Sequence, residues 1–314
     1  MLSYAAILTV ILPVYLTMAL GGAARKLGIL TEDADKSLMR LVVTILTPAL
    51  ILDRVVGNPN VMEPLPVLIA AGLGFGLVVL GIVISYFAAP LLGLKKGQGR
   101  RTFGVATGLQ NYGFVAIPII TALFAKDGTL GVLFTFSLGV ELALWTAGVG
   151  LLTGLDKTPL KAVLSPPVIT ILASLAINFT GLHQYEPAVL DPFLGMLGDC
   201  VVPLAVLLIG ASIADIWGQE PVKWSVAIGA PILRLAIIPI AFLAAACYLP
   251  LSLQLKQILI VQAAMPSAVF NIVIARHYGG HPSTAVQVVL ATTLVSILTT
   301  PFVIGWGMKL AGLG

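Results

Sequence analysis

Residues 110–118 read Gln110-Asn111-Tyr112-Gly113-Phe114-Val115-Ala116-Ile117-Pro118, a polar, helix-breaking patch inside an apolar stretch long enough to cross a bilayer. At an offset of 152 positions, Gln262-Ala263-Ala264-Met265-Pro266-Ser267-Ala268-Val269-Phe270-Asn271 interrupts a second such stretch. Non-helical backbone at membrane depth is tolerated only where protein or a water-filled cavity covers it. Two interrupted spans at corresponding places in two halves of a chain are the best pointer in a sequence to a transporter's binding site.

The surrounding composition is that of an integral membrane protein. Of 314 residues, 59 % are hydrophobic and 10 % charged, with a mean hydropathy of +1.06, against about 25 % charged in a soluble domain. Taking about 20 apolar residues per crossing, the chain reads as ten spans: 3–24, 36–56, 65–93, 101–125, 129–153, 162–180, 192–214, 222–248, 253–276 and 283–309. The first has no basic n-region and no small-residue cleavage site, so it reads as a span and not as a cleaved signal. The net charge is +4, unevenly placed. Twelve Lys/Arg, among them Arg25, Lys26, Lys95, Lys96, Arg100 and Arg101, fall on the side of the loops after spans 1, 3, 5, 7 and 9. Four (Arg54, Lys126, Lys256 and Lys309) fall on the other. Positive residues mark the cytoplasmic face, so both termini are expected outside, in a multi-pass protein of the cell membrane. Topology accounts for these clusters, and nucleic-acid binding is not expected. Cys200 and Cys247 both fall within spans, which argues against a disulfide, and no metal-ligand spacing occurs.

The shift in composition at Asp156–Pro167 divides the spans five and five, giving units 1–155 and 156–314. The 152-residue offset aligns Gln110 with Gln262, Ala116 with Ala268, Ile120 with Ile272 and Gly128 with Gly280. An odd number of spans per unit makes the units inverted repeats, the plan of many secondary transporters.

In the breaks, Asn111, Gly113 and Pro118 free backbone groups of span 4, and Pro266 does so in span 9. Half-helix N-termini carry about +0.5 charge each and bind anions. If the breaks cross, Asn111 and Asn271 can offer amide groups to a ligand there, with Gln110, Tyr112, Gln262, Pro266 and Ser267 around it. Alternatively, Asn271 and Ser267 satisfy the broken backbone and do no more; for Asn111 binding is the favoured reading. Ionisable groups inside spans are costly and need a partner or a cavity. Glu141 and Ser137 share a face of span 5, and Glu141 reads as a coupling or gating group for a proton or sodium ion, as the partner of Arg234 in span 8, or as a buried protonated acid. For Arg234 a fixed salt bridge is favoured over direct attraction of substrate, and Asp199 reads as structural. No GxSxG, HExxH, P-loop or aspartate-rich motif is present, so no enzyme is expected.

With these residues in view the chain resembles the auxin efflux carrier family, which includes the plant PIN proteins and bacterial relatives. The resemblance lies in Ile260-Val261-Gln262-Ala263-Ala264-Met265-Pro266, in Ala275-Arg276-His277-Tyr278-Gly279-Gly280-His281-Pro282, and in Asn111 through Ile119. Leu12-Pro13-Val14-Tyr15, Gly28-Ile29-Leu30-Thr31, Gly198-Asp199 and Arg234 match more weakly. The resemblance implies an all-α fold of ten transmembrane helices in two inverted five-helix repeats, like the bile-acid sodium symporters, with broken helices 4 and 9 crossing. Spans 1, 2, 6 and 7 form a scaffold, through which a homodimer is expected, and spans 3–5 and 8–10 a moving transport domain. It also implies that Asn111 holds a substrate carboxylate. Gln110 stands where plant members have Pro, Ser165-Pro166-Pro167-Val168-Ile169 replaces a plant motif, and the long loop between spans 5 and 6 is missing. These departures point to a bacterial-type carrier of small organic anions, auxin-like acids included, with export favoured. No cofactor is expected beyond a coupling Na+ or H+. The alternatives are a sodium- or proton-coupled symporter and, in a different class, a non-transporting receptor for a carboxylate ligand.

Overall fold

The computed structural model describes residues 4–124, 127–153, 164–218 and 221–313. The expected boundary between residues 155 and 156, with Lys126, Lys157 and Lys161, lies outside them. Among the described residues every regular element is helical. Helix α1 (Tyr4–Lys26) ends on Arg25 and Lys26, cations that complement its C-terminal dipole. Thr31 then caps α2 (Glu32–Leu41) by accepting from the Ala34 amide at 3.2 Å, with Glu32, Asp33 and Asp35 in the first turn. A π turn (Val42–Leu46) carries α2 into α3 (Thr47–Val55). Pro64 opens α4 (Pro64–Ala88), where its missing N–H costs nothing.

The first interrupted stretch forms α5 (Arg100–Gly108) and α6 (Ala116–Phe124). Helix α7 (Thr129–Ala143) passes through a π turn (Leu144–Gly148) into α8 (Val149–Thr153). Beyond the middle of the chain come α9 (Pro166–Phe179), α10 (Leu190–Asp199) and α11 (Val201–Ile216). Helix α12 (Trp224–Ile232) leads through a π turn (Leu233–Ile237) to α13 (Ile238–Tyr248). The second interrupted stretch forms α14 (Leu253–Ala264) and α15 (Phe270–His277), and α16 (Pro282–Leu310) follows.

Among the described residues six helical stretches are long and apolar enough to cross a membrane: Ile7–Lys26, Pro64–Leu92, Thr129–Thr153, Leu190–Ile216, Trp224–Tyr248 and Pro282–Leu310. The other four expected spans fall short for visible reasons. Two are cut by the breaks, Pro166–Phe179 is a shorter apolar helix, and α2 carries Glu32, Asp33, Asp35, Lys36 and Arg40. The long helices turn large apolar side chains outward, including Leu16, Leu20, Leu68, Leu298 and Phe302, a surface that water would not favour and lipid would.

Several helix pairs pack backbone to backbone, among them α4 on α7 and α1 on α11. A methyl group at Gly139 of α7 would lie 1.7 Å from the Ala71 carbonyl oxygen of α4, and one at Gly210 of α11 would lie 1.8 Å from that of Met18 in α1. Small residues at helix crossings allow this approach in a lipid environment. Asn178 of α9 ties down the end of α3, accepting from the Gly57 amide at 2.9 Å and donating to the Val55 carbonyl at 2.7 Å.

Candidate functional site

Helix α5 stops because Leu109 turns extended (φ −92°, ψ 111°), and α14 stops because Met265 does the same (φ −73°, ψ 137°). The two extended pieces lie against each other. Gln110 and Ser267 form an antiparallel bridge, the Asn111 amide donates to the Pro266 carbonyl at 2.7 Å, and the Ala268 amide donates to the Leu109 carbonyl at 3.2 Å. Each break thus supplies partners for the backbone groups that the other exposes, which irregular backbone within a membrane requires. Pro118 is not part of this interruption. It falls within the first turn of α6, where a helix has no use for its N–H.

The side chains divide into two groups. Ser267 and Asn271 serve the backbone. The Ser267 hydroxyl donates to the Ala106 carbonyl at 2.6 Å, and the Asn271 amide donates to the carbonyls of Ala106 and Leu109 and to Ser267 Oγ at 3.1–3.3 Å. These bonds cap the C-terminal end of α5. The Gln262 amide donates to the Tyr112 carbonyl at 3.0 Å, and Asn111 Oδ1 accepts from the Val115 amide at 3.3 Å, capping the entry to α6. The second group is unpartnered. Gln110 is fully buried and, among the described residues, neither the oxygen nor the nitrogen of its amide has a hydrogen-bond partner; Gln262 Oε1 and Asn271 Oδ1 are likewise buried without one there. An orphaned buried polar group costs about 1–3 kcal/mol, and native structures seldom gather several of them at one crossing without a use for them.

Arg234, fully buried in the α12–α13 π turn, meets the crossing from behind. Its guanidinium donates to the carbonyls of Met265 (3.1 Å), Gly108 (3.4 Å) and Gln262 (3.2 Å), with the Phe242 ring at 5.5 Å. The salt bridge favoured from the sequence is therefore replaced by carbonyl contacts: among the described residues no carboxylate lies within 4.0 Å of Arg234. Glu141 is held elsewhere. Its Oε1 accepts from the Tyr112 hydroxyl at 2.5 Å and its Oε2 from Trp145 Nε1 at 2.9 Å. The Trp145 ring meets Phe270 and Tyr278 edge-on, so the acid is connected to both breaks. Ser137 is not part of this cluster; its hydroxyl donates to Leu133 of its own helix at 2.8 Å. Asp199 is largely exposed and lies 3.7 Å from Arg54.

A cavity of about 460 Å³ bounded by Asp53, Arg54, Asn58, Asn60, Phe124 and Asp127 reaches α6 at Ile120 and Thr121, about one turn beyond the end that Asn111 caps. Among the described residues no three His, Cys, Asp or Glu side chains gather as metal ligands.

The sequence profile of a family described as "Membrane transport protein" matches residues 6–155 and 151–304. The chain belongs to this membrane transport family. This family member is similar to an uncharacterized transporter of Methanocaldococcus jannaschii, with 25% identity over 308 residues that make up 95% of this chain and 97% of the relative. It is also similar to an uncharacterized transporter of Methanothermobacter thermautotrophicus, at 24% identity over 303 residues, 93% of this chain and 95% of the relative. Three contributors to the transport protein's crossing escape sequence reasoning. Trp145 is one, although it stands four residues after Glu141 and so on its face of the helix. Thr292 accepts from the Ser267 amide at 3.1 Å. Thr300 donates to the Ala264 carbonyl and shares the Tyr15 hydroxyl with Ser296, each at 3.2–3.3 Å. Threonines in an apolar helix that also bond their own preceding turn, as Thr292 does, carry no outward signal of such a role.

Proposed function

We propose that this membrane transport protein is a secondary transporter of small organic anions, with a carboxylate received where the two breaks meet. The observation that carries this reading is the crossing itself: paired half-helices, a fully buried Gln110 amide without a partner, and a buried guanidinium without a carboxylate. Four helix ends meet there, and N-terminal ends favour anions. The position of the breaks, one in each half of the chain, supports ten spans arranged as two inverted repeats. In this arrangement α1–α3 and α9–α11 form the scaffold, the remaining helices carry the site between the two membrane faces, and a second copy docks on the scaffold. The Arg54–Asp127 cavity suits an entry path to the first break. Export is the favoured direction in a cell membrane, because moving one negative charge out down 100 mV releases about 2.3 kcal/mol. The seat of Glu141 against Tyr112 favours, as a second reading, uptake coupled to H+ or Na+.

Flux decides between these. Purified protein in liposomes should release or accumulate labelled carboxylates selected from a thermal-shift screen. A protein that binds carboxylates but moves none is a receptor, and a preference for cations removes the anion reading. The membrane orientation is tested separately. With both termini outside, a single cysteine introduced in the Lys95–Arg101 loop should stay unlabelled by an impermeant maleimide in intact cells, whereas one at the C-terminus should be labelled. Labelling of the loop would invert the topology.

A further inference from the structure

Four half-helix ends meet at the crossing, and they do not all carry the same sign. The ends of α5 at Gly108 and α14 at Ala264 are C-termini, and the starts of α6 at Ala116 and α15 at Phe270 are N-termini. The aligned peptide dipoles place about −0.5 charge on each of the first two and about +0.5 on each of the others. Left alone, such a crossing is close to neutral and has little preference for an anion. Arg234 breaks the tie. All three of its hydrogen bonds go to carbonyls at the negative ends: Gly108 for α5, and Gln262 and Met265 for α14. The last carbonyls of a helix lack intrahelical partners, and a planar fork of donors can serve several at once. Two ends of about −0.5 are offset by one guanidinium, which also accounts for a fully buried cation persisting without a carboxylate. The positive ends of α6 and α15 are left uncompensated.

We infer that Arg234 is the positioning residue that gives the crossing its sign: by capping the negative ends of both broken helices it leaves the four helix ends with a net of about one positive charge, suited to a monoanion when the Glu141 carboxylate bonded to Tyr112 is protonated and offset by it when ionised. The inference rests on the anion reading of the crossing, but its test needs no substrate. A methyl group at Gly113, inside the first break, would have no heavy atom within 4 Å, so a cysteine fits there. Gly113→Cys is made in protein carrying Cys200→Ser and Cys247→Ser, with Glu141→Gln added so that the carboxylate bonded to Tyr112 does not contribute. The rate of iodoacetamide alkylation against pH then gives the apparent thiol pKa. A positive crossing should bring the thiol below its ordinary value of about 8.5, and Arg234→Gln should raise it by about one unit, a tenfold loss of alkylation rate near pH 7. Arg234→Lys, which keeps the charge with fewer donors, should restore most of the shift. A thiol titrating at or above 8.5 with Arg234 in place overturns the inference, even if Arg234→Gln does not fold. A value unchanged by Arg234→Gln overturns it as well. Either result leaves carboxylate transport standing if the flux assay finds it, and a depressed thiol in a protein that moves no carboxylate removes the transport reading alone.

Discussion

Asn111→Ala is expected to cut carboxylate binding severely, with affinity falling about 10- to 100-fold, while the purified protein keeps its helix content and its elution as a single species. The expected loss follows from a hydrogen bond to a charged group, worth about 1.5–3 kcal/mol. The expected survival follows from which atoms of Asn111 serve the fold. Its backbone amide, which alanine retains, makes the 2.7 Å bond to Pro266 that pairs the two breaks. Its side chain contributes a single 3.3 Å contact with the Val115 amide, one of the first-turn donors that a helix can leave to solvent or ligand. Ser267→Ala should behave the opposite way. The Ser267 hydroxyl stands between the Ala106 carbonyl and the Asn271 amide, so its removal should lower thermal stability more than affinity. Isothermal titration and a melting curve on both variants separate the roles. Wild-type affinity in Asn111→Ala would remove that residue from the site.

The second large effect is expected at Glu141. A carboxylate whose two oxygens are held by a tyrosine hydroxyl and an indole N–H, with no cation within ion-pair reach among the described residues, is stabilised by neutral donors only. Its charge is therefore the term in this neighbourhood most readily changed by a proton or a sodium ion. In a coupled carrier, Glu141→Gln should flatten the dependence of net flux on pH or sodium while exchange of bound substrate continues. Tyr112→Phe, which removes one of the two donors and leaves the acid, should shift that dependence without flattening it. Wild-type transport that ignores both pH and sodium makes Glu141 structural and the protein a uniporter.

The places where helices stop are legible in the sequence, because Gly, Pro and amide side chains clustered within an apolar run mark where the backbone leaves the helix. The membrane character is legible for the same reason, since composition alone excludes a soluble core. The partner of each polar group is less so. Arg234 in an apolar span suggests a carboxylate, because a buried charge without a countercharge is costly. The structure answers with three carbonyls, whose partial charges depend on where two other helices happen to end. Likewise Glu141 and Ser137 share a face, yet the nearer turn of the helix satisfies the serine and Trp145 takes its place beside the acid. Pro118 reads as a breaker but serves as a first-turn residue. Local sequence marks a disturbance well, but which element relieves it is set by the crossing of segments about 150 residues apart.

The direct seating of Gly139 on Ala71 and of Gly210 on Met18 has a mechanical consequence. Where backbones touch without an intervening layer of side chains, there is no rotamer to relax and no compliant material to shear. The α4–α7 and α1–α11 pairs therefore behave as stiff struts, and a change of shape is taken up more easily along surfaces where one side chain can slide over another.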